Sequence, residues 1–179
     1  MLCGIYSSAH LIACFKVKAA GARGCVELIA SAEKHREFYE EAVEAAFYAL
    51  MKSLEANKLL TAKRLCESRP KKGGGFDDKT LEKVFNALDE DDREGLCALA
   101  FCRAKVKKLR GSQKRKILAA GACAIVNQSG ENHWITVEGK HPDGGYWSFD
   151  PSRDDPKQSI PQVGWSKGLF IGKPEVLEV

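Results

Sequence analysis

The chain has 179 residues, of which 44% are apolar and 29% are charged, and its formal net charge is +4. This is an ordinary globular mixture, which argues against wholesale disorder and against collagen-like or coiled-coil classes. The length predicts one domain, with two small domains as the alternative. The mild positive charge permits an anionic partner but does not require one.

The cysteine content is high, and the number of cysteines is odd at seven. No two of them form a C-x-x-C pair, so we expect no structural zinc site, and nothing indicates another metal or a cofactor. We interpret the cysteines as reduced thiols, mostly buried, in a reducing compartment such as the cytosol. No apolar run has the length of a membrane span, and residues 1–17 lack the basic start of a signal peptide.

The first half of the chain has helical periodicity. Residues 3–15 predict a helix that is apolar on nearly every side and therefore buried all round. A long amphipathic helix is predicted from about residue 26 to residue 58, because apolar residues recur there at three- and four-residue spacing. A loop with proline and three glycines follows at 69–75, and Asp78 starts another helix. We expect one further helix over residues 95–109.

The second half has the shorter runs that are typical of strands. Strands are predicted at residues 117–126, 133–138, 145–150 and 168–171. Helices followed by an antiparallel sheet make an α+β fold. We expect a single domain over residues 1–179, with a helical part over about 1–110 and a sheet part over about 115–179.

The most informative stretch is residues 132–152. His133 opens one predicted strand and Asp150 closes the next, with a turn that contains Pro142 between them. In a hairpin, the start of one strand lies beside the end of the other, so we expect the imidazole and the carboxylate side by side. The carboxylate would accept a hydrogen bond from Nδ1 of His133 and fix its tautomer, which leaves Nε2 to activate a nucleophile.

A cysteine is the expected nucleophile. Cys3 begins the buried helix and precedes Gly4, so the exposed N–H groups and the dipole of the helix favour its thiolate form. If the tip of this helix reaches the edge of the sheet, it brings the sulfur to His133. The alternative is purely structural: a core thiol, a histidine at a strand start and an aspartate in a turn.

These residues resemble the papain-like cysteine peptidase superfamily, in which the order is also Cys, His, Asp. The second half of the pattern is most similar to compact bacterial effector cysteine proteases and to related effector deamidases. The resemblance covers about 15 residues at the start and about 20 residues near position 140. The motifs that carry it are Cys3-Gly4-Ile5-Tyr6, His133-Trp134 and Phe149-Asp150-Pro151.

The resemblance implies a papain-like fold and a thiol hydrolase that acts on a protein amide, either a peptide bond or a glutamine side chain. It implies that Cys3 attacks the carbonyl, that His133 protonates the leaving amine and that Asp150 orients His133. The backbone N–H of Cys3 would be one oxyanion donor. The glutamine that supplies the second donor in the family has no counterpart in the two residues before Cys3. The likeness to effectors also implies secretion into a host cell.

Cys25 is the alternative nucleophile. It follows Gly24 near a helix start and resembles the G-x-C turn of transglutaminase-like proteins. The His and Asp strands of those proteins also resemble residues 133–138 and 146–151. The helix after Cys25 is heavily charged, which disfavours a central buried position for it.

A basic run lies between residues 103 and 116. Such a run is usually a solvated face, but it also fits an anionic membrane or an acidic protein surface. Nucleic acid is not favoured, because no aromatic residues are interleaved for base stacking. If the cysteines are only core residues, the chain is a non-catalytic interaction module that uses this face. The candidate partner-binding residues are Lys105, Lys107, Lys108, Arg110, Lys114, Arg115 and Lys116.

Overall fold

A computed structural model describes residues 3–19, 33–56, 77–101, 111–127, 133–140, 145–150, 158–160 and 167–178. The helices in these segments are α1 (Cys3–Ala19), α2 (Glu33–Ala56), α3 (Asp78–Asn86), α4 (Gly111–Ala119) and α5 (Pro174–Leu177). The strands are β1 (Cys97–Ala100), β2 (Cys123–Asn127), β3 (Trp134–Lys140), β4 (Tyr146–Phe149), β5 (Gln158–Ile160) and β6 (Gly168–Gly172). The strands form one sheet in the order β1-β6-β2-β3-β4-β5, and every neighbouring pair is antiparallel. The predicted α+β class is confirmed.

Helix α1 is buried on nearly every side, as its sequence predicts. Ile5, Leu11, Ile12 and Val17 are all fully inaccessible to solvent. Small side chains between the large ones let neighbouring elements approach closely on several sides. The helix packs against α2 on one side and against β3 on another. It is therefore the central element of the core.

Helices α2 and α3 both pack against α1, and α3 also packs against the edge strand β1. Helix α2 buries an apolar residue at every fourth position, which is the spacing of residues on one helix face. Its buried apolar residues are Ala42, Ala46, Leu50 and Leu54. The hydroxyl of Ser53 donates a hydrogen bond of 3.0 Å to the carbonyl of Val84 and so ties α2 to α3.

The sheet separates two apolar clusters. Alternate residues of a strand point to opposite faces. On β2, Ile125 therefore packs with α1, α2 and α3, whereas Ala124 packs on the other face with Ile117 of α4. On β3 the same alternation places Trp134 with the first cluster and Val137 with the second.

The predicted helix over residues 95–109 is wrong at residues 97–100, which form the edge strand β1, and residues 102–109 lie outside the described part of the chain. Helix α3 supplies the polar partners that this edge would otherwise lack. The Asn86 side chain bonds both the carbonyl and the N–H of Ala98, each at 2.8 Å. Glu82 Oε1 accepts a hydrogen bond of 3.1 Å from the N–H of Ala100. Tertiary contacts thus override the local helical pattern, and one strand of the sheet comes from the part of the chain expected to be helical.

Two further differences lie in the second half. The strand predicted at 117–126 begins only at Cys123, because α4 extends to Ala119 and Gly121 then turns the chain with a φ of 103°. Strand β5 was not predicted, because a run of three residues is too short to show a hydrophobic period. Among the described helices, none combines the length and the apolar character needed to cross a membrane.

Candidate active site

The structure brings His133 and Asp150 together at one end of the β3–β4 hairpin. His133 directly precedes β3 and Asp150 directly follows β4. The strands are antiparallel, with Thr136 opposite Phe149, so the start of one lies near the end of the other. Nε2 of His133 lies 2.6 Å from Oδ1 of Asp150, and the two side chains are 20% and 11% exposed. The pair is therefore close, charge-assisted and still reachable from solvent.

The sequence-based expectation is wrong about one atom of this pair. We expected Nδ1 of His133 to face the carboxylate, but Nε2 does so. Nε2 is the ring nitrogen farther from the backbone, so the carboxylate meets the outer end of the side chain. In a mechanism that uses this pair, Nδ1 rather than Nε2 would be the nitrogen left to transfer a proton.

The N-terminal end of α1 lies against the start of β3. The hydroxyl of Ser7 donates a hydrogen bond of 3.2 Å to the carbonyl of Trp134, the residue after His133. A Cβ on Gly4 would come within 3.4 Å of the Trp134 ring and within 3.0 Å of Leu81. Glycine is thus what allows this close approach. Cys3 precedes Gly4 and is only partly buried, so it stands at the end of α1 that approaches the start of β3.

The helix end is suited to an anion. The first turn of α1 contains no acidic side chain, so nothing there offsets the positive end of the helix dipole. N–H groups at a helix start lack partners within the helix and can donate to a negatively charged oxygen. A carbonyl oxygen that becomes negative during attack by Cys3 would meet these donors.

A second polar cluster is buried between α1 and the sheet, and the sequence reading missed it. His10 and Cys14 stand on adjacent turns of α1, and Glu138 stands on β3. His10 Nε2 lies 2.7 Å from Glu138 Oε1, with the two side chains only 1% and 8% exposed. Cys14 Sγ lies 3.5 Å from His10 Nε2 and 3.9 Å from Glu138 Oε1. We call His10, Cys14 and Glu138 the buried cluster.

Two aromatic side chains hold the imidazole of the buried cluster. The hydroxyl of Tyr39 on α2 makes a short hydrogen bond with Nδ1 of His10. The ring of Phe149 stacks on the imidazole at a centroid distance of 3.8 Å and an interplanar angle of 6°. The ring is thereby fixed by contacts with three elements: α2, β3 and β4.

Two features of the sequence could have revealed this cluster. His10 and Cys14 are four residues apart, which places them on one face of a helix that is otherwise apolar. Glu138 directly follows Trp134 to Val137, a run of aromatic and β-branched residues that is typical of a buried strand. A buried acid requires a partner, and a buried histidine is the natural one.

Several predicted site residues cannot be placed. The alternative nucleophile Cys25 lies outside the described residues, and so do Lys105, Lys107, Lys108 and Arg110. Lys114 belongs to α4, but its side chain lies outside the described part of the structure. The other two members of the basic run, Arg115 and Lys116, are exposed on α4.

The comparisons with known proteins do not add a relative. No family model matches the chain, and no curated protein or solved structure matches it. The residues and their geometry are therefore what indicate a function for this protein.

Proposed function

We propose that the protein is a papain-like thiol hydrolase that cleaves a protein amide through Cys3, His133 and Asp150. The observation that carries this proposal is the 2.6 Å pair of His133 and Asp150, at the end of the sheet against which the N-terminus of α1 packs. A buried central helix that begins at a cysteine and packs on an antiparallel sheet also supports the papain-like assignment.

The chemistry follows from the position of each group. The sulfur of Cys3, as thiolate, attacks the amide carbon, forming a C–S bond while the carbonyl oxygen becomes negative. The N–H groups at the start of α1 stabilise this oxygen. The C–N bond then breaks, and the departing nitrogen takes the proton held by His133.

Water completes the cycle. His133 removes a proton from water, whose oxygen attacks the thioester carbon. The C–S bond breaks, the acid product leaves, and the thiolate–imidazolium pair is restored. If the substrate is a peptide bond, the first product is an amine, and if it is a glutamine side chain, the first product is ammonia. An amine in place of water would give transglutamination.

Asp150 acts through His133. Its carboxylate is buried enough to be weakly screened, so it stabilises the charge that the imidazole acquires during catalysis. It also fixes the ring plane, because a 2.6 Å contact leaves little freedom of rotation. Asp150 is therefore a positioning residue in this mechanism.

The test uses amides of both kinds. A mixed-sequence peptide library is assayed for new amino termini, and a protected glutaminyl-glycine dipeptide is assayed for released ammonia. We expect the wild-type protein to turn over at least one of them and Cys3→Ala to lose all turnover. Cys97→Ser, which changes another partly buried cysteine, is the matched control and should keep wild-type turnover. Full activity of Cys3→Ala, or no turnover of either amide by wild type, would overturn the proposal.

A further inference from the structure

We propose that His10, Cys14 and Glu138 form a zinc-binding site inside the core. The three side chains offer the donor atoms that zinc prefers in proteins: an imidazole nitrogen, a thiolate sulfur and a carboxylate oxygen. Their donor atoms all lie within 4.8 Å of one another. This inference stands apart from the proposed hydrolase, since none of its ligands takes part in that reaction.

The spacing of the donor atoms fits one ion. The triangle of Nε2, Oε1 and Sγ has edges of 2.7, 3.5 and 3.9 Å. Its centre lies about 2 Å from all three atoms, and zinc bonds are about 2.0–2.3 Å long. An ion slightly outside the plane of the triangle would reach normal bond lengths without movement of the backbone. Tetrahedral angles would also require Nε2 and Oε1 to move apart from 2.7 Å to about 3.3 Å, and a fourth donor would complete the site.

The charges also match. A thiolate and a carboxylate together carry two negative charges, and a neutral imidazole carries none, so one Zn²⁺ makes the set neutral. Neutrality matters here because Cys14 is fully inaccessible to solvent and His10 is only 1% exposed. An uncompensated charge at this depth would cost several kcal/mol. Zinc would take the place of the hydrogen shared by Nε2 and Oε1.

The surroundings of His10 resemble the outer shell of a metal site. A zinc-bound histidine usually donates its second ring N–H to a nearby oxygen, which fixes its orientation. Tyr39 supplies such an oxygen at Nδ1. A hydroxyl can accept as well as donate, so this contact suits both the metal-bound and the metal-free imidazole.

The expectation of no metal was based on the absence of paired cysteines. The buried cluster escapes that rule, because it uses one cysteine and takes its third ligand from a strand more than 120 residues away in sequence. Two ligands come from α1 and one comes from β3. A bound ion would therefore cross-link the central helix to the sheet, and we expect its role to be structural.

The first experiment measures zinc directly. Protein expressed with zinc in the medium is dialysed against a weak chelator, and its zinc is measured by plasma mass spectrometry. We expect one zinc per chain in wild type and in Cys97→Ser, and none in Cys14→Ala. Tyr39→Phe keeps all three ligands but loses the outer hydrogen bond, so zinc affinity should fall by about 10–100-fold.

The second experiment does not depend on any variant folding. Wild-type protein refolded with Co²⁺ in place of zinc should show thiolate-to-cobalt charge-transfer absorption and the visible bands of a tetrahedral complex. Refolding with zinc should also raise the thermal midpoint. The proposal is overturned if wild type retains no zinc, if the cobalt spectrum lacks the thiolate band, or if a folded Cys14→Ala retains one zinc. The cluster is then a metal-free hydrogen-bonded network.

Discussion

The ring of Phe149 stacks on the imidazole of His10 at 3.8 Å, and Asp150 follows Phe149 directly in the chain. The buried cluster and the candidate active site are therefore joined through β4. They are joined a second time through β3, which begins after His133 and carries Glu138. A change in the packing of either site should affect the other, because both depend on the same two strands.

Replacing His133 by alanine tests the proton-transfer step. We expect turnover of the amide substrates to fall by about 10²–10⁴-fold, the usual contribution of a positioned acid–base group. The free energy of unfolding, measured with urea, should stay close to that of wild type, because His133 is partly exposed. Asp150→Asn should lower turnover by a smaller factor. Wild-type turnover in His133→Ala would remove this residue from the mechanism.

Gly4→Ala tests the approach of α1 to the hairpin. The added Cβ would lie 3.0 Å from a methyl of Leu81, so the helix end or Leu81 must shift by a few tenths of an ångström. We expect turnover to fall severalfold. Alanine also favours the helix by about 1 kcal/mol relative to glycine, so stability should not fall in parallel.

A second substitution serves as the control for Gly4→Ala. Leu81→Val shortens the side chain that the new Cβ would meet and should restore part of the turnover in the double variant. If the double variant is no more active than Gly4→Ala alone, crowding at Leu81 is not the cause of the loss.

Asn86→Ala tests how the edge of the sheet is held. The substitution leaves the N–H and the carbonyl of the buried Ala98 without their side-chain partner. We expect a loss of roughly 2 kcal/mol in the free energy of unfolding, the usual cost of unsatisfied buried polar groups. Urea unfolding measures it, and Lys83→Ala on the exposed face of α3 is the control. Equal stability of both variants would contradict the assigned role of Asn86.

Asp77 is the N-cap residue of α3, and its side chain makes the stability of this helix depend on pH. Hydrogen bonds from the side chain and the backbone N–H of Thr80 hold the pKa of Asp77 below its ordinary value. A lowered folded pKa means that the carboxylate stabilises the fold above its unfolded pKa and that this stabilisation is lost as the pH falls through the folded value. The loss therefore occurs below about pH 4.

The corresponding variants separate capping from charge. Asp77→Ala should lose about 1 kcal/mol at neutral pH, and its difference from wild type should shrink in acid. Asp77→Asn keeps a capping oxygen without titrating, so it should remain near wild type at neutral pH. Urea unfolding at neutral and acid pH measures both effects. A constant deficit of Asp77→Ala across this range would contradict the assignment.

Most of the helices and strands that the sequence predicts correctly follow from the pattern of its apolar residues. The all-round apolar pattern of α1 reflects burial directly, and the aromatic and β-branched residues of β3 favour a strand, so both elements are found where they were expected. Strand β1 was missed because its outer partners, Asn86 and Glu82, come from a helix. No local pattern contains that information, since it depends on how α3 packs.

The pair of His133 and Asp150 could be predicted from the sequence more directly than the buried cluster. His133 and Asp150 flank a hairpin, so antiparallel pairing alone brings them close. The nitrogen that faces Asp150 could not be predicted, because it depends on the rotamer of the ring. The buried cluster joins α1 to β3, and that juxtaposition follows only from the packing of the core.

The central claim is that His133 activates Cys3, and iodoacetamide labelling near neutral pH tests it most directly. The rate at each cysteine is followed by peptide mapping in the intact fold. Cys97 is the internal reference, since it is also partly buried. Arg93 Nη1 lies 3.2 Å from its sulfur, and a nearby cation favours a thiolate, so Cys97 is a demanding comparison for Cys3. The account predicts that Cys3 reacts first and faster than a simple thiol, and that His133→Ala removes this advantage while Cys97 is unaffected. Slow labelling of Cys3, or an unchanged rate in His133→Ala, would contradict the account.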